Sequence, residues 1–186
     1  MEKIRVSKLL SELGLCSRRE ADSYIEQGLV TVDGEPVHEL GTRAYRHQTI
    51  ALRAGAKRQQ EQRLTLLLNK PVGYISHLDD EQQYKPAASL ITPENQFAAA
   101  PDQTQRLHFR GLAPAGRLDI DSSGLLVLTQ DGRIAKLLIG EDSPIEKEYL
   151  VRVSGQLSDA GLRSLQHGLS LDGKALKPAK VSWQNE

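Results

Sequence analysis

The chain has 186 residues, with 24 basic and 24 acidic side chains, so its net charge points neither to nor away from a polyanionic partner. A single cysteine, Cys16, excludes an internal disulfide and fits a reducing compartment. The charged start from Glu2 does not read as a signal peptide, and no run nears the ~20 apolar residues that cross a bilayer, so the expected location is the cytoplasm.

In chain order, Val6, Leu9, Leu10 and Leu13 recur at helical spacing, and Gly14 ends that element. Ser17 and Glu20 have the spacing of a capping box and open a second helix with Ala21, Tyr24 and Ile25 inward, closed by Gly28. Leu29-Val30-Thr31-Val32 is a strand, and Asp33-Gly34 a hairpin turn returning through Val37. Between Lys3 and Arg19, five cations, Lys3, Arg5, Lys8, Arg18 and Arg19, meet one acid, Glu12. Such a local stripe attracts phosphate even in a neutral protein. Cys16 reads as a small buried apolar residue.

Residues 55–63 are polar and aperiodic and read as a linker between a domain at 1–54 and one at 64–186. Leu64–Leu68 is a strand running into Asn69-Lys70-Pro71-Val72-Gly73, where Pro71 fixes the strand exit and Lys70-Pro71 reads as structural. Residues 78–113, with Pro86, Pro93 and Pro101, read as a long loop. Leu125–Thr129 is a strand, Gln130-Asp131-Gly132 a turn, and Ile134, Leu137 and Leu138 mark a short helix. A strand is expected over 146–153, a helix over 157–167 with Ser158 at its cap, and strands at 169–171 and 180–183 about the Asp172-Gly173 turn. Strands adjacent in sequence and mixed with helices predict an α+β fold with an antiparallel or mixed sheet.

The segment with most chemistry is Gly116-Arg117-Leu118-Asp119-Ile120-Asp121-Ser122-Ser123-Gly124, directly before the 125–129 strand. It sets one carboxylate, Asp119, in a tight loop whose following strand cannot move far. Asp121 makes a pair that would suit glycoside hydrolysis, but the surroundings lack sugar-stacking aromatics. His38, His47, His77, His108 and His167 show no metal spacing, and there is no phosphate-binding glycine loop, so neither metal nor cofactor is expected.

Three segments in this order, Asn69-Lys70-Pro71-x-Gly73, Gly116-Arg117-Leu118-Asp119 and Glu146-Lys147-Glu148-Tyr149-Leu150-Val151, resemble the pseudouridine synthases, most closely the branch that modifies ribosomal RNA. The first 54 residues resemble the RNA-binding module named after the fourth small-subunit ribosomal protein, through Ser7–Leu10, Cys16–Ala21 and Gly28–Gly34. The resemblance implies cofactor-free isomerisation of uridine to pseudouridine, with large-subunit ribosomal RNA favoured over small-subunit RNA and transfer RNA the lesser alternative. It makes Asp119 the catalytic residue, acting as nucleophile, electrostatic stabiliser or base. Tyr149 is implied to stack on a flipped base, and Arg117 and Lys147 to orient Asp119 or a phosphate. Arg5, Lys8, Arg18 and Arg19 are the expected RNA contacts, and a monomer is the default. Members of this family continue into a basic segment that pairs a cation with the aspartate, so the catalytic domain is expected to be partial. The alternative reading is an RNA-binding protein that acts by binding alone.

Overall fold

The computed structural model describes residues 2–77, 83–97 and 109–184. It divides into two compact units, residues 1–146 and 147–186, and the fold is mixed α+β.

The first unit begins with β1 (Ile4–Arg5) and α1 (Val6–Glu12), and its Val6, Leu9 and Leu10 are buried as their spacing requires, whereas Leu13, expected on the same face, lies just past the end of the helix and is 60% exposed. α2 (Arg18–Glu26) starts on the expected capping box. The Ser17 N–H donates to Glu20 Oε2 at 2.6 Å, and the Glu20 N–H donates to Ser17 Oγ at 3.4 Å. β2 (Val30–Val32) pairs antiparallel with β3 (Glu35–Val37) across the Asp33-Gly34 turn. β4 (Arg43–Ala44) pairs antiparallel with β1, and sets Arg5 opposite Arg43. On its other side β2 takes β5 (Ile50–Leu52), with Val32 opposite Ile50. A single core joins these pieces: Leu10, Tyr24, Ile25, Val30, Ile50 and Leu52 pack together, and Cys16 lies among them. Burial pushes the Cys16 thiol up to about 11, so it stays protonated and behaves as an apolar group.

The expected linker is instead a helix, α3 (Ala54–Glu61). Apart from Gly55 its residues are good helix formers, and only Ala56 is buried, at 0% exposure, so there is no repeating apolar stripe to read. Hydrogen bonds fix it as well, since Gln60 Nε2 donates to the Leu15 carbonyl at 2.7 Å. This helix belongs to the N-terminal core and extends that body past residue 54.

β6 (Thr65–Lys70) is followed by β7 (Tyr74–Ile75) and β8 (Lys85–Pro86), a short parallel pair, and then by 3-10 turns at Ala87–Leu90 and Pro93–Asn95. The described part of the stretch expected as one long loop thus contains a short strand and two 3-10 turns. Pro101 and His108 fall outside the described residues. β9 (Ala113–Pro114) and β10 (Gly124–Thr129) come next. β6 and β10 form a six-pair antiparallel ladder, and β9 adds to the far side of β10. Leu126 and Leu128 are buried on one face, while Leu67 and Leu125 are exposed on the other. α4 (Gly132–Ile139) is capped by Asp131.

In the second unit, α5 (Asp159–His167) has Ser158 as its cap, with the Gly161 N–H donating to Ser158 Oγ at 3.1 Å. β11 (Ser170–Leu171) and β12 (Lys174–Ala175) form a tight hairpin through Asp172-Gly173. Two expectations fail here. Residues 147–153 form no strand, because a strand exists only where a second chain segment accepts its hydrogen bonds, and no ladder partner for them occurs among the described residues. Residues 180–183 likewise form no strand, since β11 pairs instead with β12, directly after the turn. No described helix is long and apolar enough to cross a membrane.

Candidate functional site

The Asp119 loop is built from the strand it precedes and from the turn after β6. Lys70, at the end of β6, is buried at 0% exposure. Its ammonium donates to the carbonyls of Pro71 at 2.9 Å and Tyr74 at 2.8 Å, and so fixes the 71–74 turn from inside. Gly73 sits at φ +84°, a conformation that costs a side-chain-bearing residue energy, and its N–H donates to the Ile120 carbonyl at 2.8 Å. Ser76, also buried, clamps Leu118 through both of its backbone groups. Its Oγ donates to the Leu118 carbonyl at 2.7 Å and accepts from the Leu118 N–H at 2.8 Å. The Asp119 carbonyl then accepts from the Ser122 N–H at 3.0 Å, closing the turn. The backbone on each side of Asp119 is therefore held by hydrogen bonds to a fixed neighbour.

The Asp119 side chain itself is exposed, and among the described residues no hydrogen bond or ion pair reaches its carboxylate. Arg117 is exposed in the same loop and makes no ion pair with Asp119. A carboxylate that faces solvent from a fixed backbone can meet a substrate atom without first breaking an internal salt bridge. Tyr149, 59% exposed, and Lys147 lie in the second unit on irregular chain. Lys70, which from sequence reads only as a structural residue of the strand exit, is the internal support of the loop turn. Ser76 was not a sequence candidate. A lone serine after a glycine-containing turn carries no signal, and only its contact with Leu118, 42 positions away, shows its part.

The other candidates assemble on the N-terminal module. An open groove of about 620 Å³ is lined by six cations, Lys3, Arg5, Lys8, Arg18, Arg43 and Arg46, against the carboxylates of Glu2 and Asp22. Arg5, Lys8 and Arg18 are thus brought together as the stripe suggested. Arg19 is exposed but does not line the groove. Arg43 and Arg46 were missed, since they lie about 40 positions from Lys3 and join the groove only through the β1–β4 pairing. Glu12 holds Lys8 at 3.7 Å and Arg46 at 2.9 Å, while Arg43 Nη1 donates to the Lys3 carbonyl at 3.3 Å.

Module and β6–β10 sheet meet inside the same unit around Arg63. Its guanidinium pairs with Glu20, donates to the Tyr24 hydroxyl at 2.9 Å and donates to the Gln130 carbonyl at 2.8 Å. Burial holds the Arg63 pKa below its ordinary value and raises that of Tyr24. Nearby, Arg133 embraces Asp131, with Nη2 2.6 Å from Oδ2, and donates to Gln60 of α3. Burial acts to raise the Asp131 carboxyl, but hydrogen bonds and charge from Arg133 outweigh it and hold the group below the usual carboxylate range. Gly132 is packed so closely on Ser17 that a β-carbon would lie 2.5 Å from the serine's own.

Comparison with known proteins adds to this geometry. The family model described as RNA pseudouridylate synthase matches residues 64–179, and the S4 domain model matches residues 4–44. Ribosomal large subunit pseudouridine synthase B of Bacillus subtilis (strain 168) is 35% identical over 177 residues, which cover 95% of this chain and 66% of the relative. Dual-specificity RNA pseudouridine synthase RluF of Escherichia coli (strain K12) is 32% identical over 180 residues, covering 96% and 56%. An RNA pseudouridine synthase of Aquifex aeolicus (strain VF5) is 31% identical over 184 residues, covering 97% and 68%. The chain therefore spans less than two thirds of the length of the Bacillus and Escherichia relatives.

Proposed function

Because this chain belongs to the RNA pseudouridylate synthase family, we propose that it isomerises uridine to pseudouridine in ribosomal RNA, with the large-subunit RNA as its substrate, in the cytoplasm. The observation that carries the reading is the Asp119 loop. Gly73 and Ser76 hold the backbone on either side of Asp119, so that its solvent-facing carboxylate rises from a fixed stretch of chain within the residues that the family model matches.

The chemistry follows from the carboxylate. As the base leaves its ribose, the ribose carbon gains positive character, and an anion held against it lowers the barrier by charge or by forming a bond. The same group can take the proton from carbon five once the base has rejoined. Preorganisation matters because a carboxylate that had to reorient would lose much of the effect, and displacements near 1 Å can cost ~100-fold. Tyr149 serves as the aromatic that stacks on the flipped uridine, with Arg117 and Lys147 as the cations near phosphate or carboxylate. Residues 1–54 bind RNA through Arg5, Lys8, Arg18 and Arg19, and residues 64–186 carry the chemistry. The substrate assignment is supported by the named activity of the Bacillus relative.

The test is carbodiimide primer extension on unmodified large-subunit ribosomal RNA incubated with the protein. The expected result is a new stop at a discrete uridine. RNA that binds and shows no new stop, on either the large- or the small-subunit molecule, would leave a binding protein in place of an isomerase.

A further inference from the structure

The turn that follows β4 carries two rings beside the basic groove. Tyr45 and His47 stack with centroids 5.4 Å apart and planes 12° from parallel. The Lys3 ammonium, which lines the groove, lies 5.2 Å from the Tyr45 ring centroid. Arg46, between the two rings in sequence, itself lines the groove. One four-residue turn therefore offers a cation to the groove and an aromatic pair beside it.

The turn is rigid. The Tyr45 N–H donates to Gln48 Oε1 at 2.8 Å, and the Gln48 N–H donates to the Tyr45 carbonyl at 3.1 Å. Gln48 Nε2 also donates to Asp33 Oδ2 at 2.8 Å, and the Thr49 N–H to Asp33 Oδ1 at 2.7 Å, which ties the turn to the β2–β3 hairpin. These hydrogen bonds hold the Asp33 carboxyl below its ordinary pKa. Tyr45 is half-buried, whereas His47 is exposed, and among the described residues no hydrogen bond or ion pair engages its imidazole. The stack is closed at its tyrosine end and open at its histidine end.

We infer that the His47 face is a stacking platform for one unpaired base of the bound RNA, next to the phosphates held in the Lys3–Arg5–Lys8–Arg18–Arg43–Arg46 groove. Single-stranded and bulged nucleotides are held this way, by cations on the backbone and an aromatic face under the base. A fully paired stem has no base free to reach the ring. The platform thus makes the module prefer a stem interrupted by an unpaired nucleotide to an unbroken one. This deepens the proposal that the module binds RNA, and rests on it.

The experiment compares two RNA hairpins of equal length closed by the same compact tetraloop, whose bases stay stacked within the loop, one with a single bulged nucleotide in its stem and one with a fully paired stem, by fluorescence anisotropy with the whole chain. His47→Ala is expected to weaken binding of the bulged hairpin about tenfold, the scale of one base–aromatic stack, and to leave the paired hairpin unchanged. His47→Phe should retain the preference, because a ring and not a charge is required. The His47 ring protons should shift upfield when the bulged hairpin is added and not when the paired one is. Equal binding of the bulged hairpin by wild type and His47→Ala, or a His47→Phe variant that behaves like alanine, would overturn the platform. Arg5→Ala/Arg18→Ala separates this from the underlying reading. If that variant binds more weakly while His47→Ala is silent, only the platform falls. If it too binds both hairpins as wild type does, or if wild type binds neither hairpin, the groove is not an RNA face and both readings fall.

Discussion

Two regions of this protein hold their functional groups by different means. In the N-terminal module, residues 4–56 share one core in which Tyr24, Leu10, Ile25 and Val30 are at or below 1% exposure, and the groove cations stand on elements fixed by that packing. Around Asp119 the apolar support is thin, chiefly Ala115, Leu126 and Leu128, and position is set by named hydrogen bonds to Gly73 and Ser76 and by the buried Lys70 ammonium. Apolar packing is non-directional and tolerates small shifts, which suits the role proposed for the groove, attraction of phosphates over several ångströms. Hydrogen bonds are directional, which suits the role proposed for Asp119, a carboxylate meeting one carbon atom. The comparison predicts that point changes near Asp119 alter turnover with little effect on affinity, and that changes in the module do the reverse.

The largest expected effect is at Asp119 itself. Asp119→Asn keeps the loop's backbone hydrogen bonds and removes the charge, so pseudouridine formation should fall roughly a thousandfold while anisotropy titration gives an unchanged RNA affinity. Residual turnover within severalfold of wild type would remove Asp119 from the chemistry.

Arg63→Ala attacks the join between the two regions. It leaves the Glu20 carboxylate, 11% exposed, without its cation, and stranding a buried charge costs ~3–5 kcal/mol. Urea unfolding should show most of that loss, and adding Glu20→Gln should recover part of it. A loss below ~1 kcal/mol would mean the pair is hydrated and worth no more than a surface bridge.

Ser76→Ala removes both hydrogen bonds that clamp Leu118. Turnover should drop about tenfold with KM nearly constant, since the loop keeps its Gly73 anchor and only its precision suffers. A rise in KM with kcat unchanged would place Ser76 in substrate binding instead.

Asp131 gives a pH signature. Its folded pKa is depressed by Arg133, so its contribution to stability is present above the unfolded carboxyl value of ~3.9 and is lost as pH falls through the lower folded value. Wild type should lead Asp131→Asn in stability at pH 7, by roughly 1 kcal/mol, and the gap should close in acid. A gap that widens below pH ~4 would reverse the assigned direction.

The smallest effect belongs to the groove. Arg5→Ala/Arg18→Ala should weaken RNA binding and flatten log Kd against log salt by ~0.7–0.9 for each phosphate that is no longer neutralised, leaving kcat unchanged. An unaltered slope would show that these side chains do not neutralise phosphate.

What the sequence determined by itself was local and periodic. The i, i+3, i+4 spacing of Val6, Leu9 and Leu10, the Ser17/Glu20 capping box, the Asp33-Gly34 turn and the apolar run of β10 depend on neighbours within a few residues, and each forms where its pattern lies. The position of Asp119 beside that run was legible for the same reason. Tertiary structure decided what needs a distant partner. The α3 helix forms from a stretch with no apolar period because Ala56 fits a core made by other elements. Residues 147–153, with a good strand composition, form none, because pairing and not propensity makes a strand. Arg43 enters the groove through the two-residue β1–β4 ladder, and Ser76 reaches Leu118 across 42 positions. Those contacts are set by hydrogen bonds closing between segments, and no window of neighbouring residues contains both ends of such a bond.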